Sequence, residues 1–146
     1  MKTRWIFWLL TVTLLAACGG GAAEPASDSL LVTDGTVTKT YTVDDLAKLP
    51  VTEATFQEVG YKGVVLAALL QDAGIDPAAL KAVKAVASDG YSVNYEPALF
   101  LRQDVLVAYA QAAGPLTADD GLLRLVIPDA EGKLNVRMLT KIEAVP

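Results

Sequence analysis

The first eighteen residues restrict the folded domain to the chain that follows them. Lys2 and Arg4 give a basic start, and residues 5–17 form an apolar run. That run is shorter than the ~20 residues a membrane-spanning helix needs, and residues 19–21, all glycine, end it. The pattern predicts a signal peptide over residues 1–17. The domain must therefore be built from the rest of the chain.

The only cysteine, Cys18, closes the sequence Leu-Ala-Ala-Cys. This segment resembles a bacterial lipoprotein signal, which is cut before its cysteine. The resemblance implies that Cys18 becomes an acylated N-terminus, with palmitate among its acyl chains, and that the protein is anchored to a membrane without crossing it. The implied location is the bacterial cell envelope, on the outside of the cytoplasmic membrane or on the outer membrane. There are two alternatives. One is an ordinary secretory signal that leaves a spare thiol, and the other is an anchor that is not cleaved.

Composition excludes several classes of function. Without Lys2 and Arg4, ten of the twelve basic residues remain against seventeen acidic ones, a net charge of −7. Such a domain gains nothing from counterion release, so we expect no nucleic-acid partner. The chain has no histidine and no second cysteine, so no disulfide can form within the domain.

Two regions follow the signal. Residues 18–29 are rich in Gly, Ala, Ser and Pro, a composition typical of a flexible tether. Residues 30–146 are long enough for one domain that buries roughly two-thirds of its unfolded surface.

Local signals predict short elements. Asp34-Gly35 between β-branched runs predicts a hairpin over residues 30–41 with a type I′ turn. Thr42 and Asp45 form a capping-box pattern that opens a short helix. The remaining predicted elements are a strand over 55–59, a helix over 63–74, a helical turn at 76–77, a hairpin over 82–95, a helical piece over 96–101, and strands over 105–109, 122–127 and 135–145. At most two helices with about seven strands indicate an α+β domain with mixed, largely antiparallel sheets.

No standard catalytic or metal site emerges from the residues. The acidic pairs at 44–45 and 119–120 are better explained by capping boxes that begin at Thr42 and Thr117 than by acid–base catalysis. The acidic loop at 129–132 is a poor calcium loop, because Lys133 and Thr140 stand where acidic ligands belong. Ser88 has no histidine to activate it. We therefore predict no catalytic residue and no metal ligand.

A series of weak patterns nevertheless recurs along the chain. They lie, in order, at residues 41–46, 61–74, 87–91, 107–109, 114–116, 121–128 and 136–143. Together they resemble the molybdopterin-binding domain of the sulfite-oxidase family, with its GV-L--LL--AG helix, DGY hairpin, LRL-VP strand and closing K-WL--IE strand. The resemblance covers about residues 30–145 and implies that family's α+β fold.

The chain departs from this family where the cofactor would bind. The family's enzymes bind molybdenum through a cysteine in the strand before the helix, and residues 55–60 here contain none. Arg124 and Arg137 match basic positions of the family, whereas Leu134 stands where its pterin-contacting lysine would fall. Met138 replaces the usual tryptophan, and residues 112–113, both alanine, replace an Asn-Gly turn. We therefore expect no cofactor, with molybdopterin as the alternative.

Two hypotheses follow. One is a lipid-anchored, non-catalytic member of this fold that binds an envelope protein or a small anionic ligand in the cofactor cleft. The candidate ligand-binding residues are Asp89, Gly90, Tyr91, Arg124 and Arg137. Each of them has a structural alternative. Asp89 and Gly90 would form a hairpin turn, Tyr91 would pack across strands, and the two arginines would snorkel or form ion pairs. The other hypothesis is a molybdopterin-dependent oxidoreductase module with a non-cysteine metal ligand or a ligand from a second subunit.

Overall fold

The structure, a computed structural model, describes residues 28–146. The predicted signal peptide, Cys18 and the tether up to residue 27 lie outside the described residues. The elements, in chain order, are β1 (Ser29–Thr33), β2 (Thr38–Thr42), α1 (Val43–Ala47), β3 (Thr52–Phe56), β4 (Val59–Val65), α2 (Leu66–Asp72), a 3-10 turn (Pro77–Ala79), β5 (Ala82–Ala87), β6 (Ser92–Tyr95), α3 (Pro97–Phe100), β7 (Leu106–Gln111), β8 (Gly114–Pro115), β9 (Arg124–Val126), a second 3-10 turn (Gly132–Leu134) and β10 (Leu139–Val145).

The strands form two five-stranded sheets. The first has the order β2-β1-β10-β5-β6, and the second has the order β3-β4-β7-β8 with β9 paired to β7. Only the β1–β10 pair is parallel among the described strands. Antiparallel pairing therefore dominates, and the predicted α+β class with mixed, largely antiparallel sheets is confirmed.

The main core lies where α2 packs against both sheets. Leu66, Leu69 and Leu70 of α2 are fully buried, in one cluster with Leu30 of β1 and Ile142 of β10. A smaller apolar cluster, containing residues of β3, β4, β7 and β9, packs separately. The second sheet contributes to both clusters, since Val64 and Val107 belong to the first and Val65 and Leu106 to the second.

Several local predictions are confirmed. Asp45 N–H donates to the Thr42 hydroxyl and the Asp45 carboxylate accepts from Thr42 N–H, so the capping box forms. Gly74, which was predicted to end the helix, follows α2 with a positive φ of 86°. The turn after Asp76 and the short helix α3 also lie where they were expected.

The first hairpin differs from its prediction in the turn. Strands β1 and β2 are joined by residues 34–37, a longer connection than a two-residue type I′ turn. Gly35 has a positive φ and Asp34 does not. The Asp34 carboxylate instead accepts hydrogen bonds from the N–H groups of Thr36 and Val37, at 2.8 and 2.6 Å. This Asx-type arrangement competes with the type I′ geometry. Strand β1 also begins at Ser29, one residue before the expected domain start.

Residues 55–65 depart most from prediction. The expected single strand is a hairpin, β3–β4, whose turn residues Gln57 and Glu58 both have positive φ. The expected helix start at Gly63 is still strand, and α2 begins at Leu66. A Cβ on Gly63 would overlap the carbonyl oxygen of Val107, so glycine here permits close approach of two backbones.

The helix count and the last strand also need correction. Three short α-helices and ten strands are present within residues 28–146, where two helices and about seven strands were expected. The predicted strand over 135–145 begins only at Leu139, because Met138 adopts a positive φ of 50°. In this part of the chain no helix has the length and apolar character to cross a bilayer.

Candidate functional site

A cavity of about 390 Å³, called the cleft below, lies where three parts of the fold meet. The β3–β4 turn contributes Phe56 and Gln57, and the β5–β6 hairpin contributes Asp89 and Tyr91. The third part is the polypeptide around β9 and the segment before β10. It contributes Asp119, Arg124, Gly132, Lys133, Asn135, Arg137 and Met138. The volume falls within the range of small-molecule sites.

The cleft brings together four of the five predicted ligand-binding residues. Asp89, Tyr91, Arg124 and Arg137 all border it, although they come from distant parts of the sequence. Gly90 does not border it. Its positive φ of 87° supports the hairpin turn, so the turn explanation fits this residue and the proposed ligand contact does not.

Arg124 is the buried charge of the cleft. Only 3% of its side chain is exposed. Its Nη1 donates to the Tyr61 hydroxyl at 2.9 Å and to Asp120 Oδ1 at 2.7 Å. The guanidinium carbon lies 4.7 Å from the Tyr61 ring centre and 5.6 Å from that of Phe56. These contacts fix the plane of the guanidinium group.

One polar atom of Arg124 is left without a partner. Its Nε–H is buried and makes no hydrogen bond within residues 28–146. A buried donor that is left unsatisfied costs free energy, and native proteins rarely keep one without a reason. Both of these hydrogen bonds use Nη1, which leaves the Nε–H as a donor without a partner within residues 28–146.

Asp120 holds both arginines of the cleft. Its Oδ2 accepts from the Thr117 hydroxyl at 2.9 Å, but no helix begins after Thr117 at this point of the described chain, so the capping box predicted there does not form. Its Oδ1 lies 2.7 Å from Arg124 Nη1 and 3.7 Å from Arg137 Nε. The alternative of ion-paired arginines therefore describes Arg124, and what sequence reasoning missed is the partner, Asp120. A single buried carboxylate thus faces two guanidinium groups.

Arg137 is an exposed cation at the cleft, with 58% of its side chain accessible. Its neighbour Met138 has a positive φ of 50°, a conformation that an unbranched non-glycine residue adopts at a cost. Met138 N–H donates to the Asp120 carbonyl at 2.8 Å, and its carbonyl accepts from Ser88 N–H at 2.9 Å. These bonds hold the backbone that carries Arg137 between two loops of the site.

The tip of the β5–β6 hairpin closes another side. Asp89 Oδ1 accepts from Tyr91 N–H at 2.9 Å. The Tyr91 hydroxyl donates to the Lys133 carbonyl at 2.7 Å, so this half-exposed tyrosine bridges two loops instead of packing across strands. Lys133 Nζ lies 2.7 Å from Glu131, and that hydrogen bond raises the pKa of Lys133.

Asn135 is a buried residue of the cleft that sequence reasoning missed. Its Oδ1 accepts from the N–H of Ile127 at 2.7 Å, and its Nδ2 donates to the carbonyls of Ile127 and Glu131. Its side chain therefore pins the segment before β10 to the end of β9. An asparagine in a loop is a common turn residue, so nothing in the sequence marked it as buried.

The donor atoms of the cleft do not fit a thiolate-bound metal. Within residues 28–146 there is no histidine or cysteine, and no group of three acidic side chains could hold a metal ion. The stretch expected to hold a ligating cysteine, residues 55–60, contains the β3–β4 turn, and it borders the cleft with Phe56 and Gln57. Molybdenum favours soft sulfur ligands, and this chain offers none at that position.

Comparison with known proteins gives a family match and a likeness to solved structures. The model of the oxidoreductase molybdopterin-binding domain family matches residues 33–146. Among solved structures, the sulfane dehydrogenase SoxCD from Paracoccus pantotrophus is similar, with a TM-score of 0.68 and 23% sequence identity. The match covers 86% of this chain and 40% of the SoxCD chain, so this chain spans less than half of that protein's length. No curated protein matches the sequence.

Proposed function

The chain belongs to the oxidoreductase molybdopterin-binding domain family, and we propose that it is a non-catalytic member whose cleft binds a small anionic ligand. The cleft supplies two guanidinium groups, Arg124 and Arg137, that border one cavity. Guanidinium groups bind phosphate and carboxylate oxygens through paired donors. Binding is therefore the chemistry that these residues support best.

The observation that carries this proposal is the free Nε of Arg124. The side chain is buried, its charge is balanced by Asp120, and its plane is fixed by Tyr61 and Phe56. A ligand oxygen that accepts from Nε would satisfy the buried donor left unpaired within residues 28–146. Arg137 is exposed, and its Nε lies 3.7 Å from Asp120, the carboxylate that it shares with Arg124. It can add its charge to the same ligand.

We infer the absence of catalysis from the missing metal ligand. The family's enzymes depend on a cysteine thiolate at a position that here lies within residues 55–60, and no cysteine or histidine stands in for it between residues 28 and 146. Asp120 is a poor candidate for a general base, because its carboxylate is engaged by Arg124 and Thr117.

We further propose that the domain works at a membrane of the bacterial envelope, anchored through an acylated Cys18. This rests on the lipoprotein-like sequence that ends at that residue. The ligand would then be a compound of the envelope, and an envelope protein is the other occupant that the cleft could accept.

The family match favours a second candidate, a molybdopterin-dependent oxidoreductase module. The match extends over residues 33–146, which includes the whole cleft. Such a module would need a metal ligand other than cysteine, or one supplied by a second subunit. The molybdenum and pterin content of the native protein separates the two candidates.

Calorimetric titration of the full-length protein in detergent with inorganic phosphate tests the anion proposal. We expect saturable binding that Arg137→Ala weakens by at least about tenfold, because a charge-assisted hydrogen bond contributes ~1.5–3 kcal/mol. Arg124→Lys keeps a charge beside Asp120 but removes the Nε donor, and it should weaken binding as well. Arg102→Ala is the matched control, since Arg102 pairs with Asp104 outside the cleft.

Absence of phosphate binding to the wild-type protein would contradict the proposal. Equal weakening by Arg102→Ala and Arg137→Ala would do the same, because it would show a nonspecific effect of charge. Circular dichroism of each variant establishes that the domain is folded.

A further inference from the structure

We propose that the ligand of the cleft is a zwitterion, a small molecule that carries an ammonium group beside its phosphate or carboxylate group. This inference rests on the proposed function, since the anionic half of the ligand is the half that Arg124 and Arg137 bind. The new observation is the presence of two uncompensated carboxylates, Asp89 and Asp119, on the same cavity.

Most charges around the cleft already have partners. Arg124 is paired with Asp120 at 2.7 Å, and Lys133 is paired with Glu131 at 2.7 Å. Arg137 has only the longer contact of 3.7 Å to Asp120, which Arg124 already occupies. Arg137 is therefore the cation with the weakest compensation.

The two remaining carboxylates have no such compensation. Asp89 accepts a hydrogen bond from Tyr91 N–H, and neither Asp89 nor Asp119 forms an ion pair with any residue of the described chain from 28 to 146. Both side chains are exposed at the cavity and accessible to a ligand.

These charges discriminate between ligands. A simple anion held by the arginines would meet repulsion from the two carboxylates that line the same cavity. A ligand with an added ammonium group replaces that repulsion by attraction, and such complementarity of charge favours one ligand over its competitors. The buried, unpartnered Nε of Arg124 is the donor that the anionic end would satisfy. The free carboxylates provide a place for the cationic end.

Phosphoethanolamine is the simplest compound with this chemistry, and it exists both as a free molecule and as the head group of a phospholipid. Titrations of full-length protein with inorganic phosphate, O-phosphoethanolamine and ethanolamine separate the contributions of the two charges. Competition by a short-chain phosphatidylethanolamine assigns the group to a lipid, whereas failure to compete, with O-phosphoethanolamine bound, assigns it to a free compound. With either source, the ligand is still a zwitterion.

We expect O-phosphoethanolamine to bind about five- to tenfold more tightly than phosphate, the gain expected from two partly exposed ion pairs. The double variant Asp89→Asn with Asp119→Asn should abolish that preference and leave phosphate binding equal or tighter. Asp44→Asn is the matched control, because it removes a carboxylate from α1 and should leave the preference intact.

Two results overturn the inference. Phosphate that binds as tightly as O-phosphoethanolamine would refute the zwitterion while leaving the anion site in place. A preference that survives in the double variant would show that the ammonium group binds elsewhere. If neither phosphate nor O-phosphoethanolamine binds, the proposed function fails and this inference fails with it.

Discussion

Asp120 Oδ1 lies 2.7 Å from Arg124 Nη1, and only 5% and 3% of the two side chains are exposed. Arg124 belongs to β9 and Asp120 to the preceding turn, so the pair joins with Tyr61 of β4 in fixing a guanidinium group at the cleft. A buried pair of this kind is costly to break from one side, because the remaining charge loses its compensation. The pair therefore serves the stability of the domain and the geometry of the cleft together.

Asp120→Asn should destabilise the domain by about 3–5 kcal/mol, because it leaves the Arg124 charge buried and uncompensated. Urea denaturation measures the change. The neighbouring carboxylate provides the control, since Asp119 is exposed and Asp119→Asn should alter stability by less than ~0.5 kcal/mol. Similar effects of the two substitutions would show that the ion pair contributes little.

Gly63→Ala should be among the most damaging substitutions of a small residue in this domain. The added Cβ would overlap the Val107 carbonyl oxygen across the β4–β7 pair, and backbone atoms cannot move aside as a flexible side chain can. We expect a loss of at least about 2 kcal/mol in thermal or urea unfolding. Gly132→Ala is the control, because nothing lies within 4 Å of the Cβ it would add. A stable Gly63→Ala variant would mean that the strands are not so closely paired.

The capping box should make stability depend on pH in the acidic range. Hydrogen bonds from the N–H and hydroxyl of Thr42, and then from Lys48, lower the pKa of Asp45 from 3.8 to about 2. A carboxylate with a depressed pKa stabilises the fold above its ordinary value, and this contribution is lost as the pH falls from 3.8 through about 2. Asp45→Ala should therefore destabilise at neutral pH and approach the wild type near pH 2. Asp44→Ala, which removes an adjacent carboxylate outside the box, should show no comparable convergence.

Lipidation at Cys18 is testable by mass spectrometry of the mature N-terminus. We expect an acylated Cys18 in protein isolated from membranes, because the sequence before it matches a lipoprotein signal. Cys18→Ser should leave the chain unprocessed or release it from the membrane fraction. An unmodified mature N-terminus at another residue would contradict the assignment.

Much of the fold could be predicted from local sequence, where a few neighbouring residues decide the backbone. The Thr42–Asp45 box, Gly74 after α2 and Asp76 before its turn are such cases, since each uses bonds within four residues. The β3–β4 hairpin could not be found this way. Its turn residues, Gln57 and Glu58, both adopt positive φ without a glycine or asparagine to mark them.

The cleft was predictable in its residues but not in its connections. Family-like patterns marked Asp89, Tyr91, Arg124 and Arg137, and the fold brings all four to one cavity. The contact of Asp120 with Arg137 depends on how the turn before β9 meets the segment before β10, which local spacing does not encode. Gly90 was misplaced because its motif marks a turn, and the tip of that turn lies beside the cavity without bordering it.

Molybdenum and pterin analysis of full-length protein purified from its native membrane separates an anion-binding domain from an oxidoreductase module. We propose that this family member keeps the fold and an anion-binding cleft, but lacks the thiolate that would hold the metal. We therefore expect far less than one molybdenum and one pterin per chain, in protein that still binds phosphate. Stoichiometric molybdenum with pterin would contradict this proposal and would establish the domain as an oxidoreductase module.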